Sequence, residues 1–499
     1  MEVITVGKVN ESYLKIQADS GVELELREYF SFDTPNKEFM PMYRNRMWDG
    51  KIRLYNAMTH LLPVGLYLHL HKFCKERQYK LTKIETSYGL PLDIHNVTYN
   101  DVKSFVDGLG VTLPNGEAPR EYQIDAIYRA IRYQRRLLKS PTGSGKSLII
   151  YCFLRYLQTQ TDKKLLLVVP TINLVNQMYS DFAEYSENNG WDVDQNCAKF
   201  YGSLPRTSDL QIHISTWQGI HKQPREFFQN YFALIGDEVH EWKAKSMQSI
   251  CQKCSETAWR IGTTGTLHNE AVSNLTIEGA FGPTHLVATT KQLMDMGFLS
   301  PIKIKAIVLE YPKDLRAANR SRKYQEELAW ILANENRNKF ICKLAKSCPG
   351  TTLVLFQRIG KHGIPLEEMM RKYVTDRTIH MVHGGVDADD REAIRKLAIA
   401  STNDIIMGST GTFALGVNVP NIHNIIFTSP SKAAIKIPQS IGRGIRLSEG
   451  KKYCTLYDIA DDLSNGNKFN TTLQHFLDRI NIYSREDFEY TITNVPFSG

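Results

Sequence analysis

The sequence predicts an α/β protein with two doubly wound parallel sheets in tandem, preceded by a small α+β domain. The chain has 499 residues, and this length favours two to four domains over one. Between residues 117 and 462, short apolar runs alternate with amphipathic stretches, which is typical of parallel strands connected by helices. A glycine-rich loop near residue 143 joins one such run to a helix-like segment. We therefore predict domains at 1–110, 117–298 and 302–462, with a helical extension at 463–499.

The composition is that of an ordinary globular protein. Hydrophobic residues make up 42% of the chain and charged residues 23%, which argues against extensive disorder. The net charge of +8 permits a polyanionic partner but does not require one. The first residues lack the long apolar core of a signal peptide, and no run approaches the roughly 18 apolar residues of a membrane span. These features predict a soluble intracellular protein that has no membrane partner.

Eight cysteines are scattered along the chain, and of these Cys251 and Cys254 form a C-x-x-C pair. No second pair stands at the spacing of a zinc site. Buried thiols in a reducing compartment are the expected interpretation, and a metal or redox role for the pair is the alternative.

The segment 42–55, M-Y-R-N-R-M-W-D-G-K-I-R-L-Y, interleaves basic and aromatic residues. Such mixing suits nucleic acid, because cations contact phosphates while rings contact exposed bases or wedge into a junction. An alternative is a hairpin turn at Asp49 and Gly50 with Trp48 packed beneath it, and both interpretations can hold together. The residues predicted to contact nucleic acid here are Arg44, Arg46, Trp48, Lys51 and Arg53.

The loop at 140–147, S-P-T-G-S-G-K-S, has the character of a phosphate-binding loop. Its glycines allow backbone dihedrals that turn N–H groups onto a phosphate, and the helix N-terminus that follows adds partial positive charge. Lys146 can reach the β- and γ-phosphates of ATP, and Ser147 can bind Mg²⁺. Ser140 replaces the first glycine of the usual pattern, and a turn with a solvated lysine is the alternative. The residues of this loop predicted to bind ATP are Thr142, Gly143, Ser144, Gly145, Lys146 and Ser147.

A pair of acidic residues follows the strand-like run F-A-L-I-G, in the segment Y-F-A-L-I-G-D-E-V-H-E-W at 231–242. Ligands gather at the carboxyl ends of strands in open α/β sheets. Asp237 can therefore hold Mg²⁺, and Glu238 can orient and deprotonate the attacking water. Two acids at a strand end are more often a cap or a solvated turn, but a phosphate loop earlier in the chain favours the catalytic interpretation.

Two arginines in the second half of the chain, Arg443 and Arg446, are candidates for completing the site. An arginine that stabilises the charge developing on the γ-phosphate raises the rate by roughly 10³–10⁵ in related phosphoryl transfers. The two residues have helical spacing and so share one face, while Gly442 and Gly444 favour the wall of a close-packed cleft. A solvated basic face is the alternative.

Taken in order, these motifs resemble those of superfamily 2 DExH-type helicases over about residues 117–462. Further matching segments are P-R-E-Y-Q-I-D-A-I, V-V-P-T, I-S-T-W-Q-G-I, I-G-T-T-G-T-L and P-Q-S-I-G-R-G-I-R. The segment T-G-T stands where the family has S-A-T and keeps its two hydroxyls. The resemblance implies two RecA-like domains that bind ATP and Mg²⁺ in the cleft between them and nucleic acid across the top. It also implies that ATP-driven closing and opening produce stepping along a strand.

The same resemblance implies roles for individual residues. Arg120 and Gln123 would read adenine, Gly416 would contact ATP, and Gln439 would act with the two arginines in catalysis. The residues implied to contact nucleic acid are Pro170, Thr171, Thr216, Trp217, Gln218, Arg358, His383, Gly384 and Thr410. Those implied to couple hydrolysis to movement are His240, Thr264, Gly265 and Thr266.

The first 110 residues resemble the N-terminal domain of phage UvsW-type helicases. The matching run contains F-S-F, W-D-G-K-I-R-L and L-L-P-V-G-L. This resemblance implies an ATP-driven helicase that branch-migrates forked or Holliday-junction DNA in phage recombination, repair and replication. It further implies a monomer in the cytoplasm of the infected host, with forked, branched or single-stranded DNA as its partner and phage recombination or replication proteins as further candidates.

Two other functions share the motor motifs and stay open at this point. One is an RNA helicase or a remodeller of RNA–protein complexes. The other is an ATP-gated translocase that grips double-stranded DNA without separating its strands.

Overall fold

The structure is a computed structural model that describes residues 2–34, 37–92, 94–111, 113, 116–242, 244–267, 271–383, 402–410, 421–430, 453–466 and 468–498. The chain forms two compact units. The first contains residues 1–140 and 145–287, and the second contains residues 288–499 together with the short loop 141–144.

The first unit begins with a small α+β part. Strands β1 and β2 are antiparallel, β5 extends the sheet next to β2, and β6 lies parallel to β1, which gives the order β5-β2-β1-β6. A separate antiparallel pair is formed by β3 and β4. The strands are β1 (Val3–Lys8), β2 (Tyr13–Gln17), β3 (Ser31–Asp33), β4 (Lys51–Arg53), β5 (Leu61–Pro63) and β6 (Lys80–Ile84), and the helices are α1 (Ser20–Tyr29), α2 (Pro41–Arg44) and α3 (Tyr67–Glu76).

The rest of the first unit is built on a seven-stranded parallel sheet with the order β13-β7-β12-β11-β8-β10-β9. Most of its strands are buried along nearly their whole length, as β8 is with the sequence K-L-L-L-V-V, because helices cover both faces of such sheets. The strands are β7 (Arg135–Lys139), β8 (Lys164–Val169), β9 (Cys197–Phe200), β10 (Ile212–Thr216), β11 (Tyr231–Gly236), β12 (Trp259–Thr264) and β13 (Thr284–Leu286).

The helices of this part show apolar residues at helical spacing and recognisable ends. In α5, Ile124, Ile127 and Ile131 are buried along one stripe, and the helix ends at Gln134 in the left-handed conformation. The helices are α4 (Tyr99–Gly108), α5 (Glu121–Tyr133), α6 (Lys146–Gln158), α7 (Ile172–Ser186), α8 (Val193–Asn196), α9 (Trp217–Ile220), α10 (Arg225–Gln229), α11 (Ala244–Lys253) and α12 (Ala271–Phe281).

The α+β part packs tightly against the first parallel sheet through buried polar contacts. Glu11, in the turn between β1 and β2, forms an ion pair with Arg135 at 2.8 Å, and both side chains are at most 8% exposed. The guanidinium of Arg260 donates to Ser12 Oγ at 2.9 Å. At Gly65, a Cβ atom would lie 1.9 Å from the backbone oxygen of Glu278. No side chain fits at that position, so the two parts meet backbone to backbone.

The second unit contains another seven-stranded parallel sheet, with the order β16-β17-β15-β18-β19-β14-β20. Its described strands are β14 (Ile302–Glu310), β15 (Thr352–Phe356), β16 (Ile379–Val382), β17 (Ile405–Ser409), β18 (Asn424–Phe427), β19 (Cys454–Asp462) and β20 (Tyr490–Pro496). Its described helices are α13 (Thr290–Asp295), α14 (Lys313–Asn319), α15 (Tyr324–Ala333), α16 (Glu335–Ser347), α17 (Ile364–Tyr373) and a C-terminal helix (Thr471–Arg485).

Buried charge pairs hold elements of the second unit together. Arg479 of the C-terminal helix contacts Asp458 of β19 at 2.7 Å, and Arg337 of α16 contacts Asp461 of the same strand at 2.8 Å. After the C-terminal helix, β20 adds an edge strand beside β14. The sequence pattern did not indicate β20, because most of its residues are exposed on both faces.

These elements confirm the predicted fold class, two tandem parallel sheets of the RecA-like type preceded by a small α+β part. Within the described part of the chain, no helix combines the length and the apolar character that crossing a membrane requires.

Candidate active site

Five neighbouring strands of the first parallel sheet, β7-β12-β11-β8-β10, carry the predicted motifs at their carboxyl ends. Ser140 follows β7, Thr264 ends β12, Asp237 follows β11, Pro170 follows β8 and Thr216 ends β10. The carboxyl ends of parallel strands share one edge of a sheet. The fold therefore brings these motifs together at a single edge of the sheet, although Ser140 and Thr264 are 124 positions apart in the sequence.

The loop after β7 has the backbone that the glycines were expected to allow. Gly143 and Gly145 have φ angles of +84° and +80°, values that favour glycine. A Cβ atom on Gly145 would lie only 2.3 Å from Nε2 of Gln123. Ser144 Oγ donates to the carbonyl of Pro141 at 2.7 Å, which tightens the turn before α6 begins at Lys146.

Lys146 points at the acidic motif. Its ammonium lies 2.9 Å from Oε1 of Glu238 and donates to the carbonyl of Ser140 at 3.3 Å. The side chains of Lys146 and Glu238 are 11% and 15% exposed. The structure thus brings together the two residues for which the sequence predicts phosphate binding and water activation.

Glu238 adopts a left-handed backbone conformation, with φ of 43°, which is uncommon for a residue other than glycine. One of its oxygens accepts a hydrogen bond from the N–H of Gly265 at 3.2 Å. Burial opposes ionisation of Glu238, but the Lys146 ammonium, helped by His240, holds the pKa of this carboxyl below its usual value. The carboxylate is therefore ionised at neutral pH.

Asp237 is 3% exposed, and its Oδ1 accepts a hydrogen bond from the Thr263 hydroxyl at 2.5 Å. Burial, together with the charge of the neighbouring Glu238, raises the pKa of Asp237 to about 6. The two adjacent carboxyls thus have pKa values shifted in opposite directions. Sequence reasoning missed Thr263, although it lies inside the quoted I-G-T-T-G-T-L segment.

His240 connects the acidic motif to the segment after β12. The Thr264 hydroxyl donates to the carbonyl of Thr266 at 2.6 Å, so it accepts at 2.7 Å from Nδ1 of His240, which must carry the proton. Thr266 Oγ1 lies 3.5 Å from Nε2 of the same ring. The four residues predicted to couple hydrolysis to movement, Gly265 included, are therefore in contact with the acidic motif or with one another.

Arg120 and Gln123 lie at the start of α5. The Arg120 N–H donates to Gln123 Oε1 at 2.8 Å, and the guanidinium of Arg120 contacts Glu117 at 3.2 Å and the hydroxyl of Tyr122 at 3.3 Å. Gln123 is 1% exposed and packs against Gly145 of the loop. The predicted adenine-reading segment is thus in direct contact with the predicted phosphate loop.

Several predicted nucleic-acid contacts have structural roles at the same sheet edge. Thr171 caps α7 by accepting from the N–H of Leu174, and Thr216 caps α9 by accepting from the N–H of Gly219. Trp217 is buried. Gln218 is exposed, and its side-chain amide donates to the carbonyl of Pro170 at 3.0 Å.

Three predicted contacts of the second unit follow neighbouring strands of its sheet. His383 follows β16, Thr410 follows β17 and Arg358 lies two residues after β15, so they share the carboxyl edge of the trio β16-β17-β15. Five further predicted site residues lie outside the described residues: Gly384, Gly416, Gln439, Arg443 and Arg446.

In the basic and aromatic segment of the first unit, the indole N–H of Trp48 donates to the carbonyl of Lys51 at 3.1 Å. Lys51 lies 3.5 Å from Glu28, and Arg53 is hydrogen-bonded to Asp49. Trp48 and Arg53 are thus hydrogen-bonded within the segment, and Lys51 is paired with Glu28 of α1. The alternative of a tight hairpin at Asp49 and Gly50 is not formed, because β4 pairs with β3 across the connection 34–50.

Other residues in this segment and just before it are exposed. The side chains of Arg44 and Arg46 are exposed and have no ion-pair or hydrogen-bond partner among the residues that the structure describes. Phe39, Met42 and Met47 are 70%, 56% and 73% exposed. We call these five residues the basic–apolar face. Sequence reasoning identified its arginines but missed its apolar members, which the sequence pattern alone does not distinguish from core residues.

All eight cysteines are free and buried, and burial raises the pKa of Cys254 to about 12. Among the described residues, no cluster of three or more His, Cys, Asp or Glu side chains could hold a metal ion. The site residues predicted to bind Mg²⁺ are Asp237, with a carboxylate, and Ser147, with a hydroxyl.

Three family profiles match the chain. The profile described as the N-terminal domain of the DNA helicase UvsW matches residues 4–84, that of the res subunit of type III restriction enzymes matches residues 117–269, and the helicase conserved C-terminal domain matches residues 336–448.

Individual proteins match over nearly the whole chain. The ATP-dependent DNA helicase uvsW of Enterobacteria phage T4 is 30% identical over 498 residues, which cover 97% of this chain and 98% of the relative. The crystal structure of T4 UvsW matches with 29% identity and a TM-score of 0.53, covering 99% of each chain. The type ISP restriction–modification enzyme LlaBIII, at 16% identity and a TM-score of 0.57, covers 85% of this chain and 34% of its own and is similar in fold alone.

Proposed function

This chain belongs to the UvsW family of ATP-dependent DNA helicases, and we propose that it couples ATP hydrolysis to translocation, unwinding and branch migration of forked or Holliday-junction DNA. The roles that follow from this proposal are phage recombination, repair and replication. We further propose that it acts as a monomer in the cytoplasm of the infected host, with phage recombination or replication proteins as partners.

The observation that carries the proposal is the 2.9 Å ion pair between Lys146 and Glu238. Each group neutralises the other inside a largely buried site. Phosphates of ATP would compete for the Lys146 ammonium, since they carry more negative charge than one carboxylate. Glu238 would then be released to accept the proton of the attacking water. The loop residues Thr142, Gly143, Ser144 and Gly145 would surround the phosphates with their backbone groups.

The oxygen atoms of Ser147 and Asp237 fit Mg²⁺, which prefers hard oxygen ligands and takes few of them from the protein when phosphates are present. Burial raises the pKa of Asp237, and the positive charge of a bound Mg²⁺ would favour the ionised form of this carboxyl. Bound Mg²⁺ would supply positive charge to the phosphate oxygens. The Thr263 hydroxyl holds the Asp237 carboxylate in one orientation, which is a positioning role.

Adenine recognition is proposed for Arg120 and Gln123, supported by the contact of Gln123 with Gly145. In the second half of the chain, Gly416 is proposed to contact ATP, Gln439 to assist catalysis, and Arg443 and Arg446 to stabilise charge on the γ-phosphate. These four proposals rest on motif resemblance.

DNA is proposed to cross the carboxyl edges that carry Pro170, Thr171, Thr216, Trp217 and Gln218 in the first unit. In the second unit, the residues proposed to contact DNA are Arg358, His383, Gly384 and Thr410. Thr171 and Thr216 are helix caps, and N–H groups at helix starts suit phosphate. Two sets of hydrogen bonds connect the acidic motif to the segment after β12. One joins Glu238 to Gly265, and the other joins His240 to Thr264 and Thr264 to Thr266. We propose that hydrolysis alters DNA binding at this edge through these contacts.

The basic–apolar face is the proposed contact of the N-terminal part with DNA. Its two arginines would bind phosphates, and Phe39 with the two methionines would pack on bases exposed at a fork. Trp48, Lys51 and Arg53 are proposed to act mainly by shaping this face, since each is engaged in a contact within the segment or with Glu28.

The test is ATP turnover and strand displacement by the full chain on DNA forks, Holliday junctions, duplex DNA and RNA forks. We expect turnover to rise many-fold with branched or single-stranded DNA and to be abolished in Lys146→Ala. Lys163→Ala, an exposed lysine outside the motifs, is the matched control and should behave as wild type.

Each alternative function predicts a different result. Stronger stimulation by RNA would indicate an RNA helicase, and turnover without displacement or branch migration would indicate a translocase. Full activity of Lys146→Ala would contradict the proposed ATP site.

A further inference from the structure

A tyrosine outside every motif contacts the proposed metal-binding hydroxyl. The hydroxyl of Tyr185, in the last turn of α7, lies 2.9 Å from Oγ of Ser147 in the first turn of α6. Within the described part of the chain, Tyr185 is the one side chain that hydrogen-bonds the Ser147 hydroxyl. Tyr185 is only 9% exposed, so this contact is sheltered from competition by bulk water.

The surrounding residues hold the Tyr185 ring in place. Its ring centroid lies 5.7 Å from that of Tyr151, which is four residues after Ser147 and therefore on the same face of α6. Asn189 donates one hydrogen bond to the backbone carbonyl of Tyr185 at 3.1 Å and another to the Tyr151 hydroxyl at 3.3 Å. The phenol of Tyr185 thus reaches Ser147 from a fixed position.

The chemistry of a serine hydroxyl determines where its proton points when the oxygen binds a cation. A serine oxygen has one proton and two lone pairs, and a lone pair must face a cation that the oxygen binds. The proton must then point elsewhere, toward an acceptor. The Tyr185 oxygen is within hydrogen-bond distance and can be that acceptor.

We propose that Tyr185 is a positioning residue that orients the Ser147 hydroxyl so that a lone pair faces Mg²⁺ bound with ATP. This inference rests on the proposed function of the phosphate loop. Tyr185 itself contacts neither metal nor nucleotide, and it acts through Ser147 alone.

The test is Tyr185→Phe, which keeps the ring and removes only the hydroxyl. Full-length protein is mixed with a fluorescent, slowly hydrolysed ATP analogue, and binding is followed while MgCl₂ is added to a metal-free solution. We expect the Mg²⁺ concentration at half-saturation to rise about five-fold, the factor that one neutral hydrogen bond contributes. Binding of the analogue without metal and the melting temperature should stay at wild-type values.

Tyr151→Phe is the matched control. It removes a phenol hydroxyl from the adjacent ring, where the partners are Arg155 and Asn189. The ring contact with Tyr185 and the bond from Asn189 to the Tyr185 carbonyl remain, so the Mg²⁺ half-saturation point should stay unchanged. A double-mutant cycle with Ser147→Ala isolates the pathway. If Tyr185 acts through Ser147, Tyr185→Phe has no further effect on Mg²⁺ dependence in the Ser147→Ala background.

Three results would overturn the inference. The first is an unchanged Mg²⁺ half-saturation point in Tyr185→Phe. The second is a lower half-saturation point, which would mean that Tyr185 competes with the metal. The third is an equal shift of the half-saturation point in the wild-type and Ser147→Ala backgrounds. Lys146→Ala separates this inference from the proposed function. If that variant loses turnover while Tyr185→Phe shows no Mg²⁺ shift, the positioning role alone is wrong.

Discussion

The ammonium of Lys146 and the carboxylate of Glu238 lie 2.9 Å apart, although 91 residues lie between them in the sequence. Lys146 begins α6, after the glycine-rich loop that follows β7. Glu238 lies after β11, and β12 lies between β7 and β11 in the sheet. The residues proposed for phosphate binding and for water activation therefore form one charge pair, for which the phosphates of ATP would compete.

Glu238→Gln should bind ATP at least as tightly as wild type, because the amide no longer competes with phosphate for the Lys146 ammonium. Turnover should fall by about 10²–10⁴, the range that a positioned general base contributes. Steady-state turnover and equilibrium binding of ATP check the two parts separately. Glu226→Gln, an exposed carboxylate on α10, is the control, and near-normal turnover of Glu238→Gln would exclude Glu238 as the base.

The double variant Phe39→Ala/Met47→Ala should keep the melting temperature and the DNA-independent turnover of wild type, since both side chains are largely exposed. Unwinding of forks should fall several-fold, because the proposed contacts between DNA bases and these two side chains would be lost. Trp48→Ala should lower the melting temperature instead, as it removes the hydrogen bond to Lys51. Wild-type fork unwinding by the double variant would show that the basic–apolar face does not contact DNA.

Glu11→Gln should destabilise the first unit by about 3–5 kcal/mol, because it leaves the buried Arg135 guanidinium without its carboxylate. Urea unfolding followed by tryptophan fluorescence measures this loss. Glu25→Gln breaks an exposed pair with Arg77 and should cost less than about 1 kcal/mol. Equal effects of the two substitutions would contradict a special role for the buried pair.

His362 should make the second unit sensitive to acid. Burial, with the charge of Arg337 next, lowers the pKa of His362 to about 3. The unfolded chain binds this proton near pH 6.5 and the folded protein does not, so the free energy of unfolding falls as pH decreases from about 6.5 toward 3. The slope from one group is at most about 1.4 kcal/mol per pH unit.

His362→Gln removes this titration, so its stability should depend less on pH between 6.5 and 5 than that of wild type. Chemical denaturation at several pH values measures both slopes, and the comparison is valid even if the substitution lowers stability at pH 7. Parallel slopes for the two proteins would assign the acid sensitivity to other groups.

Motifs whose members are adjacent in the chain were predictable from the sequence. The turn at Gly143 and Gly145 and the strand that ends before Asp237 each depend on local backbone preferences and short apolar runs. The fold class followed for the same reason, since alternating strand and helix patterns allow few parallel topologies. The alternative of a hairpin at Asp49 and Gly50 was wrong, because β4 pairs with its partner strand β3 across a long connection and not across a tight turn.

By itself, the sequence determined which side chains can do chemistry and that two parallel sheets would carry them, because those properties depend on residue type and local spacing. Only the tertiary structure decided which distant groups touch: Lys146 with Glu238, Thr263 with Asp237 and Tyr185 with Ser147. It also decided that Trp48 is hydrogen-bonded to the carbonyl of Lys51 while Phe39 is exposed. These outcomes depend on strand order and packing between segments far apart in the chain, and a local pattern of residues carries no information about either.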